Sequence, residues 1–202
     1  MKNNKKLILA SGSPRRIELL KMLGCKFQIV PSKIEEKINP RLSPIQNVKR
    51  LSRLKALAAA SKISDGIIIA ADSIVVLNGE ILGKPKDMKD AEKMFQKLSS
   101  KEHLAITGVT VIDAETKKIA QSAAVTKIKF HNLNKNLIKR YFKLVNPLDK
   151  AGAYAIQENG AMLIESISGS YSNVIGLPLD KLNQLLGKFG VSLMSIHAPE
   201  KL

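Results

Sequence analysis

The chain has 202 residues, 45% of them hydrophobic, enough to bury one sizeable core in a globular domain. Its formal net charge of +16 comes from 27 Lys and 6 Arg against 17 acidic residues. Such a surplus favours anionic ligands, but the lysines are spread with no run of five, and aromatics make up only 4% with no Trp, so a base-stacking single-strand binder is disfavoured. A single cysteine, Cys25, excludes an internal disulfide and a thiolate metal cluster. No apolar run approaches a membrane span, and Leu7–Ala10 is too short for a signal-peptide core. A cytoplasmic, reduced protein is therefore expected.

In chain order, Leu7–Ala10 reads as a buried strand. Ser13 is placed to cap a helix that starts at Pro14 and is closed by Gly24, with Cys25 behind it as a small apolar filler. Phe27–Val30 reads as a short strand, followed by a polar loop over 31–40. Ser43-Pro44 opens a long helix to about Ala60, on which Ile45, Val48, Leu51, Leu54 and Leu57 define the apolar arc, with Lys55 inside it. Ile67–Leu77 is β-prone and interrupted by Asp72-Ser73. Asn78-Gly79 makes a hairpin turn into Glu80–Leu82. A helix over 87–98, long strands over 104–112 and 119–130, and a helix over 134–145 follow. Ala151–Ile156 and Ala161–Ile167 read as strands, and a helix over 179–186 and a loose tail end the chain. The pattern is α/β with a mixed sheet and one domain.

Four features carry chemistry. Ser11-Gly12-Ser13 between a strand and a helix, with Arg15 and Arg16 in the first turn, is a plausible phosphate seat, because cations there oppose the helix dipole unless an anion intervenes. A capped helix with two solvated arginines explains the segment about as well. Asp72 inside a buried run demands a cation or a hydrogen-bond network, and Lys84 in Gly83-Lys84-Pro85 follows the next strand. Glu35-Glu36 is an adjacent acidic pair, ordinarily a solvated one, although magnesium bound through one or two carboxylates and substrate phosphates would use it. The inward Lys55 needs an anionic partner. His103, His131 and His197 are too far apart in the sequence to read as a metal set, and no nucleophilic-serine, Walker or dinucleotide motif occurs.

These pieces, in this order, resemble the Maf family of nucleoside triphosphate pyrophosphatases over nearly the full length. The resemblance rests on Leu9-Ala10-Ser11-Gly12-Ser13-Pro14-Arg15-Arg16, Ala71-Asp72-Ser73-Ile74-Val75 and Gly83-Lys84-Pro85. His103 with Thr107-Gly108-Val109, the stretch Asp149-Lys150-Ala151-Gly152-Ala153-Tyr154-Ala155-Ile156-Gln157 and Asn173-Val174-Ile175-Gly176-Leu177-Pro178 add to it. It implies an elongated Maf/inosine triphosphate pyrophosphatase-like α/β fold, with a mixed sheet, flanking helices and two lobes around a deep cleft, in a protein that is often a homodimer. It implies hydrolysis between the α and β phosphates with a divalent cation, Mg or Mn. By resemblance Asp72 matches the general base and Glu36 the residue that helps hold metal or water, the two forming the metal set. Lys55 and Lys84 match further catalytic positions, and with Ser11, Ser13 and Arg15 they match the phosphate grip.

Arg15, Ser73 and Gln157 match positions that distinguish the dTTP/UTP pyrophosphatase subgroup. That subgroup commonly has Thr where this chain has Ser73, so the chemistry is expected to survive while base selectivity stays open. Two other functions stand beside it: the same reaction on 7-methyl-GTP or another non-standard nucleotide, and a non-enzymatic basic protein that binds nucleic acid or regulates cell division. A nucleotide substrate is expected, with no stable nucleic-acid or membrane partner.

Overall fold

A computed structural model describes residues 5–157 and 159–193. Strand β1 (Leu7–Leu9) is buried throughout and pairs in parallel with β2 (Phe27–Ile29) and β3 (Ile67–Leu77), so that Leu7 faces Phe27 on one side and Ile67 on the other. Parallel neighbours need crossovers, and helices α1 (Pro14–Met22) and α2 (Pro44–Ala60) supply them. Asn78 and Gly79, both at positive φ (49° and 84°), turn β3 back into the antiparallel β4 (Glu80–Leu82). Helix α3 (Met88–Leu98), strands β5 (Glu102–Asp113) and β6 (Ile119–Phe130), helix α4 (Lys135–Leu144), strand β7 (Ile164–Ser168) and helices α5 (Tyr171–Ile175) and α6 (Leu179–Gly187) follow. The mixed seven-stranded sheet has the order β2-β1-β3-β5-β6-β7, with β4 beside β3. Among the described residues no helix is long and apolar enough to cross a membrane.

The chain divides into two compact units, exchanging segments after Asp72, Ile106, Ala124 and Ile175. The first unit packs Ile8, Ala10, Ile68 and Ala70 of the sheet against Ala56 and Ala59 of α2. The second is built on Phe95, Leu98, Phe130, Tyr141 and Tyr154. Its aromatic rings meet edge-on or tilted, as their quadrupoles favour.

Several expectations from the sequence need correction. Asp72 does not interrupt its strand, because β3 runs unbroken through it. The buried face of α2 is Val48, Leu51, Ser52, Lys55, Ala56 and Ala59, whereas Ile45, Leu54 and Leu57 are exposed. Small residues (Ser52, Ala56 and Ala59) alternate on that face with Val48, Leu51 and Lys55. Residues 151–156 are not a strand. Ala151–Ala153 is a 3₁₀ turn in which Gly152 and Ala153 both take φ of 67°, a left-handed geometry no strand contains. The second expected strand starts only at Ile164, after a 3₁₀ turn over Gly160–Leu163. Helix α5 has no counterpart in the sequence reading. The expected tail and His197 lie outside the described residues.

Candidate active site

The site builds up from the first unit. Ser13 occupies the N-cap position of α1 with extended backbone, but its side chain makes no capping bond, contrary to expectation. The neighbouring hydroxyl governs the turn instead: Ser11 Oγ accepts from the Ser13 amide (3.2 Å) and from Arg16 Nη1 (3.2 Å). Arg16 Nε donates to the Gly176 carbonyl at 2.8 Å, which fixes the guanidinium through two distant parts of the chain. Burial pulls the Arg16 pKa below its ordinary value, and the charges of Asp72 and Glu36 oppose that shift, while Arg15 adds to it. The expected phosphate seat thus holds Arg16 through named partners, a cation that the seat's sequence pattern included but the phosphate grip implied by the resemblance did not. The doubled arginine was the available signal. Arg16 is anchored by Gly176, far away in the sequence.

Helix α2 starts with a capping box, Ser43 accepting from the Gln46 amide while the Gln46 side chain accepts from that of Ser43. The fully buried Asn47 then binds the loop before the helix. Its Oδ1 accepts from the Asn39 amide at 2.8 Å, and its Nδ2 donates to the carbonyls of Asn39, Leu42 and Ser43. Arg50 adds a bond to the Lys37 carbonyl. The loop so held divides the acidic pair. Glu35 pairs with Lys37 in solvent, whereas Glu36 Oε1 reaches Lys55 Nζ at 2.8 Å.

Lys55 is the hub. Its side chain is 7% exposed, and its ammonium donates to Asp72 Oδ1 at 2.6 Å as well as meeting Glu36. Asp72 itself is 4% exposed, a burial that would be costly for a carboxylate without such a partner. Glu36, at 46%, remains open to solvent. One ammonium thus bridges a buried and an open carboxylate, with Arg16 close enough to feel both.

The donor set fits a divalent cation only in a particular way. Two carboxylates converge on one point, now held by an ammonium, and among the described residues no group of three His, Cys, Asp or Glu is placed to hold a metal. A cation that takes one or two carboxylate oxygens and completes its shell with phosphate and water suits this set. An all-protein cage does not.

The remaining candidates lie in the second unit. Ser73 is half-buried, the next residue of β3 after Asp72. Lys84 is exposed in the loop after β4, and Gln157 is half-buried at the end of the segment that begins with the 3₁₀ turn. The loop and the segment are tied directly, because the Gly152 amide donates to the Gly83 carbonyl at 3.0 Å. A Cβ on Gly152 would lie 3.0 Å from the Val75 side chain. His103 does not join the candidate residues. It is buried edge-on against Phe130 and bonds Tyr154.

Residues 6–189 match the family model described as Maf-like protein. The relatives share nearly the whole length. A dTTP/UTP pyrophosphatase of Dictyoglomus thermophilum is 43% identical over 94% of this chain and 99% of its own. One from Caldicellulosiruptor saccharolyticus is 44% identical over 94% and 98%, and one from Thermosipho melanesiensis 49% over 89% and 96%. A distant likeness to the Staphylococcus aureus Ham1 protein, 18% identical with a TM-score of 0.44, covers 77% of this chain and 90% of that one.

Proposed function

The chain belongs to the Maf family, and on that premise we propose that it hydrolyses dTTP and UTP to the monophosphate and pyrophosphate. The observation that carries the reading is the Glu36–Lys55–Asp72 cluster beside Arg16, a concentration of paired charge in the first unit with a buried end at Asp72 and an open one at Glu36. The relatives' shared name supplies the substrate class.

In this reading water attacks the α-phosphorus, the bond from that phosphorus to the bridging oxygen breaks, and pyrophosphate leaves. The carboxylate of Asp72 takes the water's proton, oriented by the Lys55 ammonium on its Oδ1. Such a transfer demands charge neutralisation and alignment more than covalent work, and Arg15, Arg16, Lys55 and Lys84 supply cations for the phosphates. Ser11 holds the arginine side of the seat through Arg16, with Ser13 in the same turn. Glu36 and Asp72 would hold a divalent cation, Mg or Mn, which lowers the negative charge met by the attacking water. Ser73 and Gln157 face the choice of base, Gln157 by offering an amide donor and acceptor to a pyrimidine edge. This reading calls for no stable nucleic-acid partner. The setting is the cytoplasm, and the homodimer implied by the family is tested by the mass of the protein in solution.

The test is pyrophosphate release from dTTP, UTP, CTP, GTP and 7-methyl-GTP with Mg²⁺ or Mn²⁺. Release from dTTP and UTP should fall by about 10²–10⁴ in Asp72→Asn, the span of a lost general base. Release confined to 7-methyl-GTP would keep the reaction and overturn the choice of base. No release from any nucleotide by folded protein would overturn the reading.

A further inference from the structure

The stretch from Tyr154 to Ile156 has none of the strand pairing its sequence suggests, so its buried backbone needs other partners. A single hydroxyl serves one residue of it twice. Tyr141, buried on α4, accepts from the Ala155 amide at 3.1 Å and donates to the Ala155 carbonyl at 3.4 Å. The same carbonyl lies where a Cβ on Gly160 would stand, at 1.8 Å, so residue 160 closes over it with no room to spare. One residue earlier, the Tyr154 hydroxyl shares a 2.8 Å hydrogen bond with His103 Nε2. Burial pushes the Tyr154 hydroxyl pKa up and the imidazole down, so a neutral hydroxyl meets a neutral ring. The ring of Tyr141 in turn packs on Phe95, 5.3 Å between centroids, within the second unit's core.

We infer that Tyr141, with the His103–Tyr154 pair, is a positioning residue for Gln157: it locks the backbone two residues before the amide and so sets which base the enzyme accepts. This rests on the proposed pyrophosphatase reading. Helix α4, strand β5 and the nearby turn at Gly160 converge on Tyr154 and Ala155, which carry no catalytic group. That investment makes physical sense where the next polar side chain must be held in one place, because an amide discriminates between pyrimidines only if its donor and acceptor stay in register.

Tyr141→Phe keeps the ring in the aromatic cluster and removes only the hydroxyl. In the full-length protein with Mg²⁺, KM for UTP should rise and the UTP-over-CTP ratio of kcat/KM should drop, each by about tenfold, with kcat much less affected. Native-state exchange should show faster amide exchange at Ala155. Ile138→Val, one turn earlier on α4, is the control: it should lower Tm and leave the ratio unchanged. Tyr141→Phe that lowers Tm yet leaves the ratio at the wild-type value overturns the inference and leaves the function intact. Wild-type protein that releases no pyrophosphate from UTP or dTTP, with Ala155 still protected, overturns the function and takes the selectivity role with it.

Discussion

Gly108 on β5 approaches α2 so closely that a Cβ there would lie 2.4 Å from the carbonyl oxygen of Val48. The contact leaves no room for a side chain at position 108, where the strand meets the helix backbone. Ser52 and Thr110 continue it with a 2.8 Å hydrogen bond between their hydroxyls, and Gln121 donates to Thr110 and to the Lys49 carbonyl. Lys55 stands one turn further along the same face, so the height of its ammonium above the sheet depends on this contact.

Replacing Gly108 by Ala forces backbone against backbone. The variant should lose about 1–3 kcal/mol, as overpacked cores do, measured by urea unfolding. Because the helix must shift, its pyrophosphate release should fall more than the stability loss explains at a temperature where it is fully folded.

Lys55→Met leaves Asp72 buried without its ammonium. The loss expected from breaking such a pair is about 3 kcal/mol. The double variant Lys55→Met/Asp72→Leu removes both charges and should return to within about 1 kcal/mol of wild type while remaining inactive. A double variant as unstable as the single one would show that the pair's charges are not what the site's stability depends on.

His103 titrates in an apolar setting. Desolvation holds its pKa down to about 4, with the Lys101 backbone and Glu102 opposing, against an ordinary 6.5. The unfolded chain therefore binds more protons between those values, and the neutral ring's contribution is full above the unfolded pKa and lost as pH falls toward the folded one. The difference amounts to about 3 kcal/mol. Thermal melts from about pH 7 down to pH 4 should show Tm falling for wild type, with a shallower fall for His103→Gln.

Cys25 follows Gly24, whose φ of 64° closes α1, and the Cys25 amide bonds the Leu20 carbonyl at 3.2 Å. Burial raises the thiol's pKa above its usual value, so little nucleophilic thiolate forms at neutral pH. Native protein should react with iodoacetamide only slowly, and at the rate of a free thiol once unfolded in urea.

Much of the fold was legible because local chemistry specifies it. The Asn78-Gly79 turn needs two residues tolerant of positive φ, and the Ser43-Pro44 start joins a cap to a preset φ, so hairpin and helix followed from a few neighbouring residues. The burden on Lys55 was visible too, as a charge on an apolar face. The face itself was drawn only in part: hydrophobicity pointed to Ile45, Leu54 and Leu57 beside Val48 and Leu51, whereas the neighbouring sheet buries Ser52, Ala56 and Ala59 in their place, a demand of the neighbour that the helix's own pattern does not carry.

The sequence by itself determined the alternation of strands and helices, the hairpin, the helix starts and the family motifs, all governed by interactions within a few residues along the chain. Tertiary structure decided which carboxylate of Glu35-Glu36 turns inward, that Arg16 anchors to Gly176, and that residues 151–156 leave the strand conformation. Each of those outcomes depends on a partner remote in sequence: Lys55 for Glu36, Gly176 for Arg16, and Gly83 for the turn at Gly152. A buried polar group goes where its partner is, and only the folded chain places the partner.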